Sequence, residues 1–147
     1  MSTVTRPPCA PFDARFSAYL IDGLILFALF YPLMLSTLLA RDVNLWPLVL
    51  WVVGTHLYWA AFWSRLGRGQ TPGMRFRRIR VVREDGGDLD FGHSLLRATL
   101  LFFGGGTGIV PLSIVLNRDG VGLHDRLAGS RVIRTVKNAE PQQPRRP

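Results

Sequence analysis

The sequence offers almost no sulfur chemistry. Cys9 is its single cysteine, so no internal disulfide can form. His56, His93 and His124 are scattered, and no Cys/His spacing fits a zinc site. Lysine is nearly absent too: Lys137 stands alone among 18 cationic residues. Charge as a whole is scarce, at 19% of the chain against about 25% in an ordinary soluble domain. There is no internal repeat, no Gly-Lys-Ser/Thr phosphate loop, and no grouping of nucleophile, base and orienting residue. These absences leave no metal site, no cofactor and no catalytic residue to name, and the chain is not expected to be an enzyme.

Apolar residues are plentiful, at 48% of 147 residues, and they fall into three blocks. The first runs from about Phe12 to Ala40, and Gly23 to Ala40 carries no charge. A span needs about 20 mostly apolar residues to cross a hydrocarbon core of ~30 Å; reaching back to Ala18 supplies them and takes in Asp22. The block is longer than the roughly 7–15 apolar residues of a secretory signal peptide, and Leu38 and Ala40 do not form a small-residue cleavage site. An uncleaved span is therefore expected. The second block, Leu45 to Trp63, has no formal charge and carries Trp46, Trp51, Tyr58, Trp59 and Trp63. Trp46 and Trp63 should lie at headgroup level, and Trp51 should pack against the first helix. With only Arg41 to Asn44 between them, the blocks predict a transmembrane helical hairpin with spans near 18–40 and 45–63. Residues 1–11 form a polar, poorly ordered leader, with Pro11 just before the first helical turn.

The third block, Leu95 to Leu116, is broken by Gly104 to Gly108 and by Pro111. A helix-interior Gly costs about 1 kcal/mol relative to Ala and Pro about 3, so the block should bend, either as a re-entrant hairpin or as a kinked third span. Between the second and third blocks, residues 64–93 are soluble. They open with the turn Leu66-Gly-Arg-Gly-Gln-Thr-Pro-Gly73, followed by a β-branched strand over Arg78 to Arg83. Leu89 to Phe91 is a candidate returning strand, and a basic amphipathic surface segment is the competing reading. Residues 117–136 end in a second strand-like piece, Ser130 to Val136, and residues 137–147 form a disordered tail. The fold class expected is an all-α membrane protein with a small β element in its soluble parts.

The cations bear on topology. The leader and head of the first helix hold two, the first connection one, the middle segment through Arg97 eight, and the tail seven. A single third crossing divides them almost evenly across the bilayer. A re-entrant third block puts all but Arg41 on one side, as cationic loops prefer the cytoplasm. That favours cytoplasmic termini, and it places the strand-like pieces near Val81 and Val132 where they can pair.

Few residues invite chemistry. Arg15 and Asp22 lie two helical turns apart on one face, about 10.5 Å along the axis, with Ala18 between them. An acid in a membrane helix is costly, so Asp22 should face protein and meet a cation such as Arg97 or Arg126. His124 and Asp125 form no complete site; Asp125 should cap a helix or meet Arg15. His56 should be a buried, hydrogen-bonded histidine. Gly69, Gln70, Thr71, Gly73 and Arg75 are a candidate nest for an anion such as a lipid phosphate, with a plain tight turn as the alternative. The cluster Arg75, Arg77, Arg78, Arg80 and Arg83 faces anionic lipid sooner than nucleic acid, since no nucleic-acid module is present.

Three segments together resemble the RDD family of bacterial membrane proteins. They are Phe12-Asp-Ala-Arg15-Phe-Ser-Ala18-Tyr-Leu-Ile-Asp22, the pair Gly69-Gln-Thr-Pro-Gly73-Met-Arg75 and Ile79-Arg-Val-Val82, and Leu123-His-Asp125-Arg-Leu-Ala-Gly129. The resemblance covers about residues 12–136. By position, the Arg and two Asp that name the family are Arg15, Asp22 and Asp125. The Gly104–Gly108 run departs from the family's more evenly apolar third block. The resemblance implies a multi-pass protein of the bacterial plasma membrane, with transport of an ion or small ligand as the role it points to, and it supplies no substrate. The alternative is a non-catalytic scaffold that binds anionic lipid or a partner protein. The bilayer and a possible homo-oligomer or protein partner are the expected company.

Overall fold

The computed structural model describes residues 9–40, 44–117 and 120–135. The connection at 41–43, most of the leader and the tail beyond Thr135 lie outside the described residues. Six helices and two strands follow in order: α1 Phe12–Leu39, α2 Trp46–Trp63, α3 Pro72–Phe76, β1 Ile79–Arg83, α4 Phe91–Gly106, α5 Ile109–Leu116, α6 Leu123–Leu127 and β2 Ser130–Arg134.

Helix α1 is 28 residues long, with Pro11 at its N-cap, where a missing N–H costs nothing. Among the described residues it is the one helix long and apolar enough to cross a membrane, and only 17% of its most apolar window is buried. The core helix of a soluble protein would hide that surface; here Leu24, Phe27, Leu29 and Leu38 are each more than 60% exposed. Helix α2 falls short of the same standard. Its 18 residues span about 27 Å, and its Trp, Tyr and His residues lower its hydropathy. The two helices run antiparallel, as Tyr19 stacks on Trp59 at 5.6 Å and Phe30 meets Gly54.

Two expectations for the tryptophans fail. Trp51 packs on Phe102 of α4, with ring centroids 6.4 Å apart, because α4 rather than α1 covers that face of α2. Trp63 is 1% exposed and lies under the guanidinium of Arg97, so it belongs to the core and not to a headgroup belt. Trp46 is 71% exposed.

The third block begins earlier than its apolar run, because Asp90 caps α4 by accepting from His93 N–H at 2.8 Å. The bend between α4 and α5 is 99°, centred on Thr107 and Gly108, whose φ of 75° is open to glycine without strain. It is an elbow rather than a tight hairpin or a straight span.

The strands β1 and β2 pair antiparallel, with Val81 opposite Val132. Leu89 to Phe91 does not return as a strand: Leu89 makes one isolated bridge to Ser64, and Asp90 and Phe91 start α4. The end of the leader is ordered by the same sheet, since Ala10 N–H donates to Val132 O at 2.8 Å. The core joins the start of α1, the end of α2 and this sheet through Ala14, Ala18, Trp59, Trp63, Ile79, Val81 and Val132.

Candidate ionic site and cavity

Two buried polar centres lie where α1 meets α3, α6 and the sheet. The first is built on Asp125, at 0% exposure. Arg15 Nη1 donates to its Oδ2 at 2.9 Å. Arg97 Nε and Nη2 donate to its Oδ1 at 3.0 and 2.6 Å, a fork geometry that a lysine could not reproduce. Gly122 N–H donates to Oδ2 at 3.3 Å, so Asp125 both meets Arg15 and caps α6. The helices bring the partners together across 110 residues of sequence.

Each guanidinium is itself held. Arg15 Nε donates to Ala10 O at 3.0 Å, and Nη2 to Val132 O at 3.4 Å. The Arg97 guanidinium lies 4.3 Å from the centroid of the Trp63 ring, within cation–π range. His124 Nε2 completes the group, 3.3 Å from Asp125 Oδ1. Burial pushes the Asp125 carboxyl upward, and the Arg97 and Arg15 cations outweigh it, so it titrates below its ordinary value. Burial, aided by the two guanidinium groups against the opposing pull of Asp125, lowers His124 to about 4. At neutral pH the cluster therefore holds two cations, one carboxylate and a neutral imidazole.

The second centre is Asp22, also at 0% exposure. Its expected cation is absent: Arg97 is committed to Asp125, Arg126 is an exposed residue of α6, and among the described residues no ion pair reaches Asp22. Neutral donors take that place. Tyr58 OH donates to Oδ1 at 2.9 Å, Gly73 N–H donates to Oδ1 at 2.9 Å, and Thr71 Oγ1 donates to Oδ2.

This arrangement also corrects the anion-nest reading of Gly69 to Arg75. Gly69 N–H is bonded to Ser64 O, Gln70 Nε2 donates to Ile79 O and Thr135 Oγ1, and Arg75 is exposed. The anion that Thr71 and Gly73 grip is the protein's own Asp22, which ties the Gly-rich turn to α1. Gly73 is required sterically, since an added Cβ would run into Ala18 O and the Asp22 carboxylate. His56 is half-buried and its Nδ1 lies 2.8 Å from Val52 O, a hydrogen bond within its own helix. Trp63 and Tyr58 have direct roles that sequence reasoning missed; both read as membrane aromatics there, and only the crossing of α2 with α1 and α4 reveals their partners.

Arg15, Asp22, Arg97 and His124 all line one cavity of about 250 Å³, walled otherwise by Phe16, Trp59, Leu101, Val110 and Ile114 among others. A second cavity, of about 280 Å³, lies against Thr55, His56 and Phe102 and shares Tyr19, Trp59 and Leu101 with the first. Among the described residues no group of His, Cys, Asp and Glu could hold a metal ion.

No curated protein and no solved structure is significantly similar to the chain. The profile of the RDD family, a generally membrane-associated family, matches residues 9–129, a stretch that includes Arg15, Asp22, Asp125 and all of α1 through α6. The chain belongs to the RDD family.

Proposed function

We propose that this is a non-catalytic, multi-pass protein of the bacterial plasma membrane that takes part in transport of a small anionic ligand. In this reading α1 and α2 cross the bilayer, the α4–α5 elbow re-enters it, and both termini are cytoplasmic. The β1–β2 pairing supports that topology, because it holds the segments before and after the third block against each other. The transport reading rests on one observation: a cavity between helices, walled mostly by apolar side chains, is lined by Arg15, Asp22 and Arg97, and Arg97 keeps an unpartnered N–H there. Three helices enclose little space alone, so a homo-oligomer is the expected working form.

The test uses liposomes loaded with a halide-quenched dye, with iodide as the probe. The wild-type chain should admit iodide faster than protein-free vesicles, and Arg97→Gln should abolish the difference. Equal rates with and without protein would sink transport of small inorganic anions through this cavity.

That outcome would leave a scaffold that binds anionic lipid, which a separate observation favours. Leu66 and Phe76 are 80% and 75% exposed between the cations Arg65, Arg68, Arg75 and Arg77. Such a scaffold would retain anionic lipid on purification, and neutralising those four arginines would release it.

A further inference from the structure

The cavity between α1, α2, α4 and α5 carries three buried polar nitrogens without a hydrogen-bond partner among the described residues. They are Arg97 Nη1, Trp63 Nε1 and His124 Nδ1. All three residues line that one cavity. Buried donors are almost always satisfied, and each exception calls for an explanation. Arg97 Nη1 and Trp63 Nε1 are donors in every state, and two such exceptions around one space share one explanation: the space receives an acceptor.

We infer that the cavity binds a single-chain amphiphilic anion, with its carboxylate or phosphate at Arg97 and Trp63 and its chain among Phe16, Leu101, Val110 and Ile114. The inference rests on the reading of the cavity as a ligand site.

Hydrogen-bond capacity points to an anion. Asp125 and Asp22 balance the two guanidinium groups in formal charge and the imidazole is neutral, so the choice rests on which groups keep an open hydrogen-bonding position. Asp22 faces the same cavity about two helical turns from Arg15, yet its oxygens already accept from Tyr58, Thr71 and Gly73. The Asp22 carboxylate already holds three donors, while the guanidinium side keeps an open N–H at Arg97 Nη1. The Arg97 guanidinium lies over the Trp63 ring, 4.3 Å from its centroid, so the two open donors belong to side chains in direct contact.

The rest of the lining selects an apolar body. Trp59, Leu101, Val110, Pro111 and Ile114 would waste their contacts on a hydrated inorganic ion. At about 250 Å³ the cavity is just below the roughly 300–1,000 Å³ of drug-sized ligand sites. It suits a headgroup with the first part of one chain, the remainder leaving past Phe16 and Tyr19, which are each 50% exposed.

The test is a titration of the full chain in nanodiscs of zwitterionic lipid with dodecanoate, dodecanol and iodide, each corrected against empty nanodiscs. Dodecanoate should bind saturably and at least 10-fold more tightly than dodecanol. Arg97→Gln should erase that preference. Leu101→Trp, which fills the chain's space and leaves every charged group in place, should weaken dodecanoate at least 10-fold with the melting temperature retained. Displacement of dodecanoate by added lysophosphatidylglycerol, which has one chain, would identify a membrane lysolipid as the source, and failure to displace it would identify a free acid; either is consistent with the inference.

Equal binding of dodecanoate and dodecanol would overturn it, because the buried cation would then contribute nothing. Binding of iodide without dodecanoate would overturn the amphiphile and leave the ligand site standing. Binding of none of the three would overturn both.

Discussion

Asp125 is a single carboxylate shared by two arginines, and the count matters more than any one distance. Truncating one partner of a buried ion pair costs roughly 3–5 kcal/mol because the other charge is left uncompensated. Asp125→Asn strands two guanidinium groups and should lose at least that much. Arg97→Gln leaves Arg15 and Asp125 paired one to one and should lose less. The double variant should be more stable than Asp125→Asn alone, and melting curves in mild detergent would show it; additive losses would contradict the charge argument. His124 adds a pH dependence. The folded chain keeps it neutral down to about pH 4, whereas its ordinary value is 6.5. Between those values the unfolded chain binds the extra proton, so stability falls as pH drops through the window, by at most about 1.4 kcal/mol per pH unit. Asp125 adds a loss in the same direction at lower pH, because its folded carboxyl titrates below the ordinary 3.8. A melting series across the window should slope as stated for the wild type and flatten for His124→Gln.

At the scale of elements, two glycines separate steric need from backbone need. Gly73 has an ordinary backbone but no room beside α1, and Gly108 has a positive φ at the elbow but open space around it. Gly73→Ala should cost about 1–3 kcal/mol or more through overpacking and displacement of Asp22's donors. Gly108→Ala should cost about 1–2 kcal/mol from left-handed strain alone and leave the Asp22 centre intact. Thermal melts with Tyr58 ring absorbance as a local probe would distinguish them; an unperturbed Tyr58 in Gly73→Ala would refute the latch between α1 and α3. The second helix was legible in the sequence to within a residue and the end of the first likewise, because Pro11 and the apolar runs act locally; the short helices α3 and α6 and the Asp90 cap that starts α4 were not. The elbow was legible as a break but not as an angle, which depends on what α4 and α5 pack against.

For the whole molecule, the strand pairing carries the topology. Sequence offered a division of charges and two β-branched stretches near Val81 and Val132; the structure sets those two residues opposite each other. Fluorescent-protein fusions at both termini should be bright and alkaline phosphatase fusions inactive. An active phosphatase at the C-terminus would show a third full crossing and refute the re-entrant elbow.

The sequence by itself determined the family, the long apolar first helix, the break in the third block and the importance of Arg15, Asp22 and Asp125, because composition, periodicity and short motifs are local properties. It placed Arg15 and Asp22 on one face correctly from the helical repeat. It named the Arg15–Asp125 pair that the structure forms, and it misassigned the partner of Asp22. Asp22 went to a cation in the sequence reading because a buried carboxylate needs compensation, and nothing local says that a Gly-rich turn 51 residues away will supply neutral donors instead. Only the tertiary structure decided that Arg15 and Arg97 converge on Asp125, that Trp63 lies beneath Arg97, and that a cavity opens beside them. Those facts depend on how helices cross, and the crossing is set by the summed packing of many side chains rather than by any stretch of sequence alone.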